Sequence, residues 1–378
     1  AGTTFTGPGT ALSTGTLNVN TAIGIPATMT FTMTGGIVQG TGTLTTAGTL
    51  NWSGGTMTGA GTTTANGPFN ISGAAVKDLT SNRIFNNNLT ATWTGTGGIR
   101  IGTGAVLNNN GTWDAQNDTT ISIQFTGPAA VNNVGTFKKS GGTGSTAISI
   151  NFNNTGTVDI QTGTLSLSGS NFSQTAGVTQ LAGGALVSTT NRNFLGGRLA
   201  GSGTITAPVI VSGTAALTPG LSPGTLTLVG DYTQQAPSRA INVEIAGTNP
   251  GTGYDRLNIS GVGSNAELAG VLNVSLSSGF TPNSTDSFTV MTYPTRTGNY
   301  VLNLPAAGCL GWVVDYGATA LTLSLVDVPV QLQGLMIAAN KSDLTWAAPP
   351  INPATLYDVV RGGLAQLPVG STANETCI

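Results

Sequence analysis

The strongest constraint on the fold is a pattern of small residues that recurs along the chain. The pattern GGxxxGxGTxT occurs at residues 35–45 and again at 54–64, and a third copy lies at 196–206. The first two copies are offset by 19 residues. A period of about 20 residues, made of short β runs separated by Gly and Asn, is typical of one coil of a β-solenoid. The repeat therefore predicts coils that stack on one another.

A second, looser repeat pairs Gly-Thr with a large apolar residue. It occurs at residues 110–113, 134–137 and 155–158, so its spacing is similar to that of the first repeat. Glycine at a corner permits positive φ at little steric cost, and stacked Thr or Asn side chains can form ladders between coils. We therefore expect glycine corners and polar ladders.

Alternation of apolar and polar residues marks the strands themselves, as at residues 48–52 and 164–167. Period-two alternation places Leu, Val, Ile and Trp inward and Thr, Ser and Asn outward. The sequence allows two locations for the side chains of Trp52, Trp93 and Trp113. They fill the solenoid interior, or they form a strip on one face where sugars stack.

Charge is scarce in this sequence. Charged residues make up 7% of the chain, against about 25% in ordinary soluble domains, and the first of them is Lys77. The sequence contains no run of about 20 apolar residues, so it predicts no membrane span. Hydrophobic residues at 39% with a net charge of −2 do not fit disorder, which couples low hydrophobicity with high net charge. The composition indicates an ordered, β-rich chain.

Several functional classes are disfavoured by composition. The chain has no histidine, which removes His-metal sites and Ser-His-Asp triads. Its 12 Lys and Arg form no basic patch, so we expect no nucleic-acid partner. The sequence contains no acidic repeat of the kind that would indicate calcium binding. We predict no enzyme activity and no catalytic, cofactor-binding or metal site.

The competing hypothesis places chemistry on a few carboxylates. Asp114 and Asp118 lie close in sequence, Asp159 is expected near the same face, and Lys138 and Lys139 are the nearby cations. On a β-helix, stacked carboxylates and cations could form a groove that cleaves polysaccharides. The alternative interpretation is that these residues serve turns and solubility.

The composition and pattern of the sequence change near residue 213, where a segment rich in Pro and Gly is followed by longer segments of alternating apolar and polar residues. Residues 221–226, 230–234, 254–257 and 270–274 resemble the end of autotransporter-type and other large secreted β-helical passengers of bacteria. In that family this segment closes the solenoid or forms its last β layers. The resemblance implies a location outside the cell rather than an activity.

The C-terminal segment resembles part of a fibronectin type III domain. Residues 330–335, 341–346 and 357–362 match its A, B and C strands, with Leu-Thr-Trp and Tyr-Asp-Val-Val-Arg as the matching motifs. Such a sandwich needs about seven strands and about 100 residues. We therefore expect that the natural chain continues, or that a neighbouring subunit supplies the missing strands.

Two kinds of covalent modification remain open. Cys309 and Cys377 could pair within the chain, between subunits, or with a cysteine further downstream. Asn-x-Ser/Thr sequons, which accept N-linked sugar in secreted proteins, are frequent, and they include those at Asn51, Asn70, Asn88, Asn110, Asn153, Asn171, Asn258 and Asn283.

Together these observations predict an all-β protein with three segments. Residues 1–212 form a β-solenoid, 213–327 a β-rich, sandwich-like distal segment, and 328–378 an incomplete fibronectin type III-like sandwich. We expect a secreted structural protein, the repeating subunit of a bacterial surface filament whose subunits share strands head-to-tail. Its partners are then copies of itself and surface glycans. The alternatives are a carbohydrate-binding or polysaccharide-cleaving β-helix, and the shaft of an adhesin.

Overall fold

The computed structural model is an all-β structure. Each regular element that it describes is a β-strand, and the strands build a β-solenoid. In the described part of the chain, no helix is long and apolar enough to cross a membrane. The structure describes residues 3–168, 172–235, 240–277, 279–308, 310–327, 336–337 and 344–345.

Three parallel ladders form the walls of the solenoid, and a typical coil contributes one strand to each of them. The 14 strands of the first ladder are Thr3–Thr4, Ile23–Ile25, Thr43–Thr46, Thr62–Ala65, Ile84–Asn87, Val106–Asn109, Ala130–Asn133, Asn151–Asn154, Phe172–Gln174, Arg192–Phe194, Val209–Val211, Tyr232–Gln234, Asn265–Leu268 and Thr295–Gly298.

The second and third ladders share two long strands, Val178–Val187 and Arg198–Thr206, which run around the corner between them. The other strands of the second ladder are Gly9–Ser13, Met29–Met33, Leu50–Trp52, Phe69–Ile71, Thr90–Trp93, Thr112–Ala115, Thr136–Lys139, Thr157–Ile160, Ala216–Pro219, Ala240–Ile245, Val271–Leu276 and Val301–Asn303. Those of the third are Thr16–Asn18, Ile37–Gln39, Gly55–Met57, Lys77–Leu79, Ile99–Ile101, Thr120–Ile123, Ser145–Ile148, Thr164–Ser166, Thr225–Val229, Arg256–Ser260 and Ser287–Thr292.

Antiparallel pairing appears at the end of the third ladder. Ser287–Thr292 pairs with Ala320–Asp327, which pairs in turn with Leu310–Tyr316. Two further short strands, Met336–Ile337 and Leu344–Thr345, pair with each other. The remainder of the expected fibronectin-like segment lies outside the described residues.

The sequence repeat corresponds to a strand, a corner and the next strand. In the copies at 35–45 and 54–64 the first strand belongs to the third ladder and the second to the first ladder. The copy at 196–206 begins instead on the second ladder and ends on the third. The pattern therefore encodes a corner between two strands, and it is compatible with different sides of the coil.

The Gly-Thr repeat keeps its register in the structure. Trp113 pairs with Phe137, and Phe137 pairs with Val158, along the second ladder. The preceding glycines stack so closely that a Cβ atom on Gly135 would lie 1.9 Å from the carbonyl oxygen of Gly111. This corner column requires glycine because a neighbouring backbone occupies the space of a side chain, which confirms the expected glycine corners.

The three tryptophans lie in the core. Trp52, Trp93 and Trp113 each expose at most 1% of their surface, and the rings of Trp93 and Trp113 meet edge-to-face at 6.1 Å. All three occupy inward positions of second-ladder strands. A sugar-stacking strip of these side chains on an outer face is therefore wrong, because alternation turns them away from solvent.

Asparagine also lines the interior, where alternation was expected to place only apolar residues. Asn87 donates through Nδ2 to Oδ1 of Asn109 at 2.8 Å, Asn109 to Asn133 at 2.7 Å, and Asn133 to Asn154 at 2.7 Å. These side chains are fully buried. A buried amide is stable here because the coils above and below supply its hydrogen-bond partners.

The solenoid continues across residue 212, where a sandwich-like segment was expected to begin. Parallel pairing runs on through all three ladders, on the second ladder as far as Val301–Asn303. The coils become longer, however. Leu44 pairs with Thr63, whereas Leu226 pairs with Leu257, so more of the chain separates the two partners in the later coil.

Candidate functional site

The carboxylates singled out from sequence lie mainly on the outer face of the second ladder. Asp114 pairs in register with Lys138, and Lys138 with Asp159, on three successive strands. Lys138 Nζ is 3.3 Å from Asp114 Oδ2. Asp159 thus lies two coils beyond Asp114 on the same face, with a cation between the two.

The carboxylates of this charged column have hydrogen-bond partners both within their own coils and on neighbouring coils. Asp114 accepts hydrogen bonds from Nε2 of Gln116 at 2.8 Å and from the hydroxyl of Ser140. Asp159 accepts one from Gln161 at 2.7 Å. The bond from Ser140 and the ion pair with Lys138 join successive coils, whereas Gln116 and Gln161 lie in the same coils as the carboxylates they contact. These contacts favour a structural role.

Asp118 and Lys139 form a separate pair at the next corner. Lys139 is fully buried and donates to the carbonyl oxygen of Asn117 at 2.7 Å, to Asp118 Oδ1 at 2.8 Å, and to the carbonyl of Gly141. The hydrogen bond from Lys139 holds the pKa of Asp118 below its usual range. This pair belongs to the corner between the second and third ladders, whereas Asp114 points from the second-ladder face.

A cavity of about 340 Å³ lies further along the second-ladder face. Asp159 pairs with Gln180, and the same column continues through Ala200 and Thr218. Asn242 follows on the next strand, because Leu217 pairs with Ile241. The remaining lining comes from Arg198, from residues 220–222, and from Val243, Glu244, Asp255 and Ser275.

Two carboxyl groups line this pocket in different environments. Glu244 accepts hydrogen bonds from the hydroxyls of Ser222 and Ser277, which lower its pKa. Asp255 is 2% exposed and accepts main-chain hydrogen bonds from Gly224 at 2.9 Å and Glu244 at 3.0 Å. Burial, with a smaller contribution from the charge of Glu244, raises the pKa of Asp255 to about 6.

Sequence reasoning missed this pocket. Arg198, Glu244 and Asp255 are far apart in sequence and follow no known spacing. Residues 221–226 and 254–257 entered the sequence analysis only through the resemblance to β-helical passengers. The available signal was the lengthening of the coils after residue 213, since extra residues must form turns that project from the solenoid.

Amide ladders cover part of the outer surface. Asn70 Nδ2 donates to Asn51 Oδ1 at 2.9 Å, and Asn110 Nδ2 to Asn88 Oδ1 at 2.8 Å. All four are sequon asparagines, so the nitrogen that would carry a sugar already takes part in these ladders or, for Asn51 and Asn88, in bonds to Thr32 and Asn66. The sequon at Asn171 and both cysteines, Cys309 and Cys377, lie outside the described residues.

Within the described part of the chain, no group of three or more His, Cys, Asp or Glu residues could hold a metal ion. In comparisons of the sequence with known proteins, no protein-family model and no curated protein matched the chain.

Proposed function

We propose that this protein is an extracellular structural protein, the repeating subunit of a bacterial surface filament. The solenoid supports this proposal, because 14 stacked strands at a spacing of about 4.8 Å make a shaft roughly 60 Å long. Polar columns on its outside and a continuous buried core run along this shaft. The extracellular location rests on the resemblance of residues 221–274 to secreted β-helical passengers.

The observation that carries the assembly proposal is an open edge at the end of the first two ladders. Among the described residues, Thr295–Gly298 and Val301–Asn303 pair with a strand on one side only. Val301 is 68% exposed and Leu302 39%. Unpaired strand edges are templates for pairing with another chain.

The polar groups at this edge are arranged for continued pairing. The N–H of Val301 donates to the carbonyl of Gly270 at 2.7 Å. Because alternate residues of a parallel strand bond to opposite neighbours, the N–H of Leu302 points away from the solenoid. Asn303 donates to Asn273 at 2.9 Å, and its own Oδ1 accepts no hydrogen bond from a described residue. A further strand could extend both the backbone ladder and the amide ladder.

Strand addition at this edge by another copy joins two different surfaces of the subunit. Such a heterologous contact produces an open filament unless its rotation closes a ring. The third ladder is different, since its last parallel strand, Ser287–Thr292, is already paired with Ala320–Asp327. Growth is therefore proposed through the first and second ladders.

A charge placed on the open edge tests the proposal. We expect the unaltered protein to form filaments in negative-stain images at high concentration and Val301→Lys to remain monomeric, because a lysine on an edge strand opposes strand addition. The matched control is Val262→Lys, which adds the same charge at a fully exposed loop residue. Monomers of the unaltered protein at all concentrations, or equal assembly of both variants, would reject strand addition at this edge.

A further inference from the structure

The pocket on the second-ladder face contains hydrogen-bonding groups that the fold does not use. The guanidinium of Arg198, the amide nitrogen of Asn242 and the hydroxyl of Thr218 bond to no described residue. Asn242 Oδ1 accepts from Asn273 at 2.9 Å, which fixes the orientation of its amide. Gln180 donates weakly to Asp159 at 3.4 Å, and its side-chain carbonyl oxygen accepts no hydrogen bond from a described residue.

These groups are carried by rigid parts of the molecule. Gln180, Arg198, Thr218 and Asn242 all stand on strands of the second ladder, and each strand is fixed by neighbours on both sides. The opposite wall is the turn at residues 220–224, which Asp255 holds through its hydrogen bond from Gly224. A site on strands keeps its geometry better than a site on loops.

The chemistry of the lining selects among ligand classes. A hard metal ion needs several oxygen ligands, whereas the described lining residues supply two carboxyl groups, those of Glu244 and Asp255, and no metal-binding cluster of three or more acidic, His or Cys residues occurs among the described residues. Arg198 is the single cation among the described lining residues, which also include the carboxyl groups of Glu244 and Asp255, and this balance disfavours an anion. Eight of the twelve lining residues have polar side chains, and an apolar molecule would leave their hydrogen-bonding groups without partners.

We infer that this pocket binds an uncharged, hydroxyl-rich sugar unit of a glycan. Sugar hydroxyls both donate and accept, so they match the donors of Arg198 and Asn242 and the free oxygen of Gln180. The volume of about 340 Å³ falls at the lower end of the range for small-molecule sites, about 300–1,000 Å³.

The charged column next to the pocket extends the site. Gln180 lies beside Asp159, and Lys138 and Asp114 follow on the preceding coils of the same face. A glycan chain that leaves the pocket along this column meets a polar group at each coil. We therefore expect oligosaccharides to bind more tightly than their monosaccharides.

Isothermal titration calorimetry of the whole chain with neutral oligosaccharides of glucose, mannose, galactose and xylose tests this inference. We expect saturable binding to one of these series at about millimolar Kd or tighter. Arg198→Ala should weaken it by about tenfold or more, and Thr218→Trp, which fills the cavity, should abolish it. Arg100→Ala, which removes an arginine from the third ladder, is the matched control and should leave binding unchanged.

Three results would overturn the inference. They are no binding to any neutral series, binding that Arg198→Ala and Thr218→Trp leave intact, and binding confined to uronic-acid oligosaccharides. Circular dichroism of each variant shows whether it remains folded. The inference goes beyond the proposed filament function and is independent of it, since Val301→Lys should bind the same oligosaccharide as the unaltered protein.

Discussion

The narrow coils in the first half of the solenoid differ from the wide coils near its end. Between residues 43 and 166 most coils are short, as in the pairings of Leu44 with Thr63 and Asn109 with Asn133. In the wide coils, the strand beginning at Val271 pairs with one that begins at Ala240, and a long connection separates the two. Identical residues stack in columns in both regions, as Asn87 with Asn109 and Asn242 with Asn273. Near the wide coils, however, residues 220–222 and Asp255 also line a concave surface. Coils of similar length therefore form the shaft, and the longer coils add the turn residues that line the pocket.

Among the described residues, the most deeply buried charged groups also differ between the two regions. In the narrow coils Arg83 is buried against Oγ1 of Thr63 at 2.9 Å and the carbonyl of Gly40 at 3.3 Å, and Lys77 donates to the carbonyl of Ala75 at 2.9 Å. Burial lowers the pKa of Arg83 to about 10, so it remains charged at neutral pH. In the wide coils the buried group is Asp255, held by main-chain N–H groups. Tight corners offer carbonyl oxygens to cations, while the open turn offers N–H donors to a carboxyl group.

The largest effect is expected at the glycine corners of the narrow coils. Gly135→Ala should reduce the free energy of unfolding by at least about 3 kcal/mol, because the new methyl group would meet the carbonyl oxygen of Gly111. Gly24→Ala is the control, since a Cβ atom there meets nothing within 4 Å, and it should change stability by less than about 1 kcal/mol. Urea unfolding measures both. Equal effects would show that the corner column does not restrict the narrow coils.

The second-largest effect on stability is expected from the interior amide ladder. Asn133→Leu leaves Asn109, Asn154 and the carbonyl of Thr157 without their partner, and we expect a loss of about 2–3 kcal/mol. The adjacent Asn132 belongs to an outer ladder, where water can replace the lost bonds, so Asn132→Leu should cost less than about 1 kcal/mol. If the two variants unfold at the same urea concentration, the buried ladder contributes no more to stability than the outer ladder does.

The pH dependence of stability distinguishes the wide coils. The pKa of Asp255 is raised to about 6 in the folded protein, against about 4 in an unfolded chain. Between these pH values only the unfolded state releases the proton, so rising pH favours unfolding. Asp255→Asn cannot titrate there. The stability of the unaltered protein relative to this variant should therefore fall by about 2 kcal/mol between pH 4 and pH 7. Parallel pH profiles in urea unfolding would contradict a buried, protonated Asp255.

The smallest effect concerns a surface ion pair of the narrow coils. Arg100 meets Asp78 through two hydrogen bonds, of 2.6 and 2.8 Å, on the third ladder. Asp78→Asn should cost less than about 1 kcal/mol, because solvent screens a partly exposed pair. The difference should diminish when urea unfolding is repeated at about 1 M salt. A loss well above about 1 kcal/mol would contradict screening of the pair, and a loss that salt does not change would show that it comes from the hydrogen bonds rather than from charge.

Local patterns predicted the coils because their requirements are local. A corner needs glycine, and a strand needs alternation, so GGxxxGxGTxT and Gly-Thr marked corners and strands correctly. The inward asparagines could also have been found. Phe85 and Asn87 are two residues apart in one strand and therefore share a face. The expectation that polar side chains always face outward concealed this.

The pocket could not be predicted in the same way. Arg198 and Asp255 line one cavity because coils of different length bring a turn over a face of the second ladder, and the number of residues in each coil has no short-range signature. The same reasoning applies to the third copy of the repeat. Its pattern specifies a strand, a corner and a strand, but the side of the coil depends on how many residues precede it.

Residue order alone led to an all-β solenoid with glycine corners, stacked polar columns and little charge, since each of these follows from residues within one coil of each other. The tertiary structure decided which asparagines are buried, where the tryptophans point, and that Gln180, Arg198 and Asn242 surround one cavity. Those facts depend on which coils are stacked against each other and in what register. Stacking is a property of the whole chain, because each coil adopts the position that its predecessor leaves open.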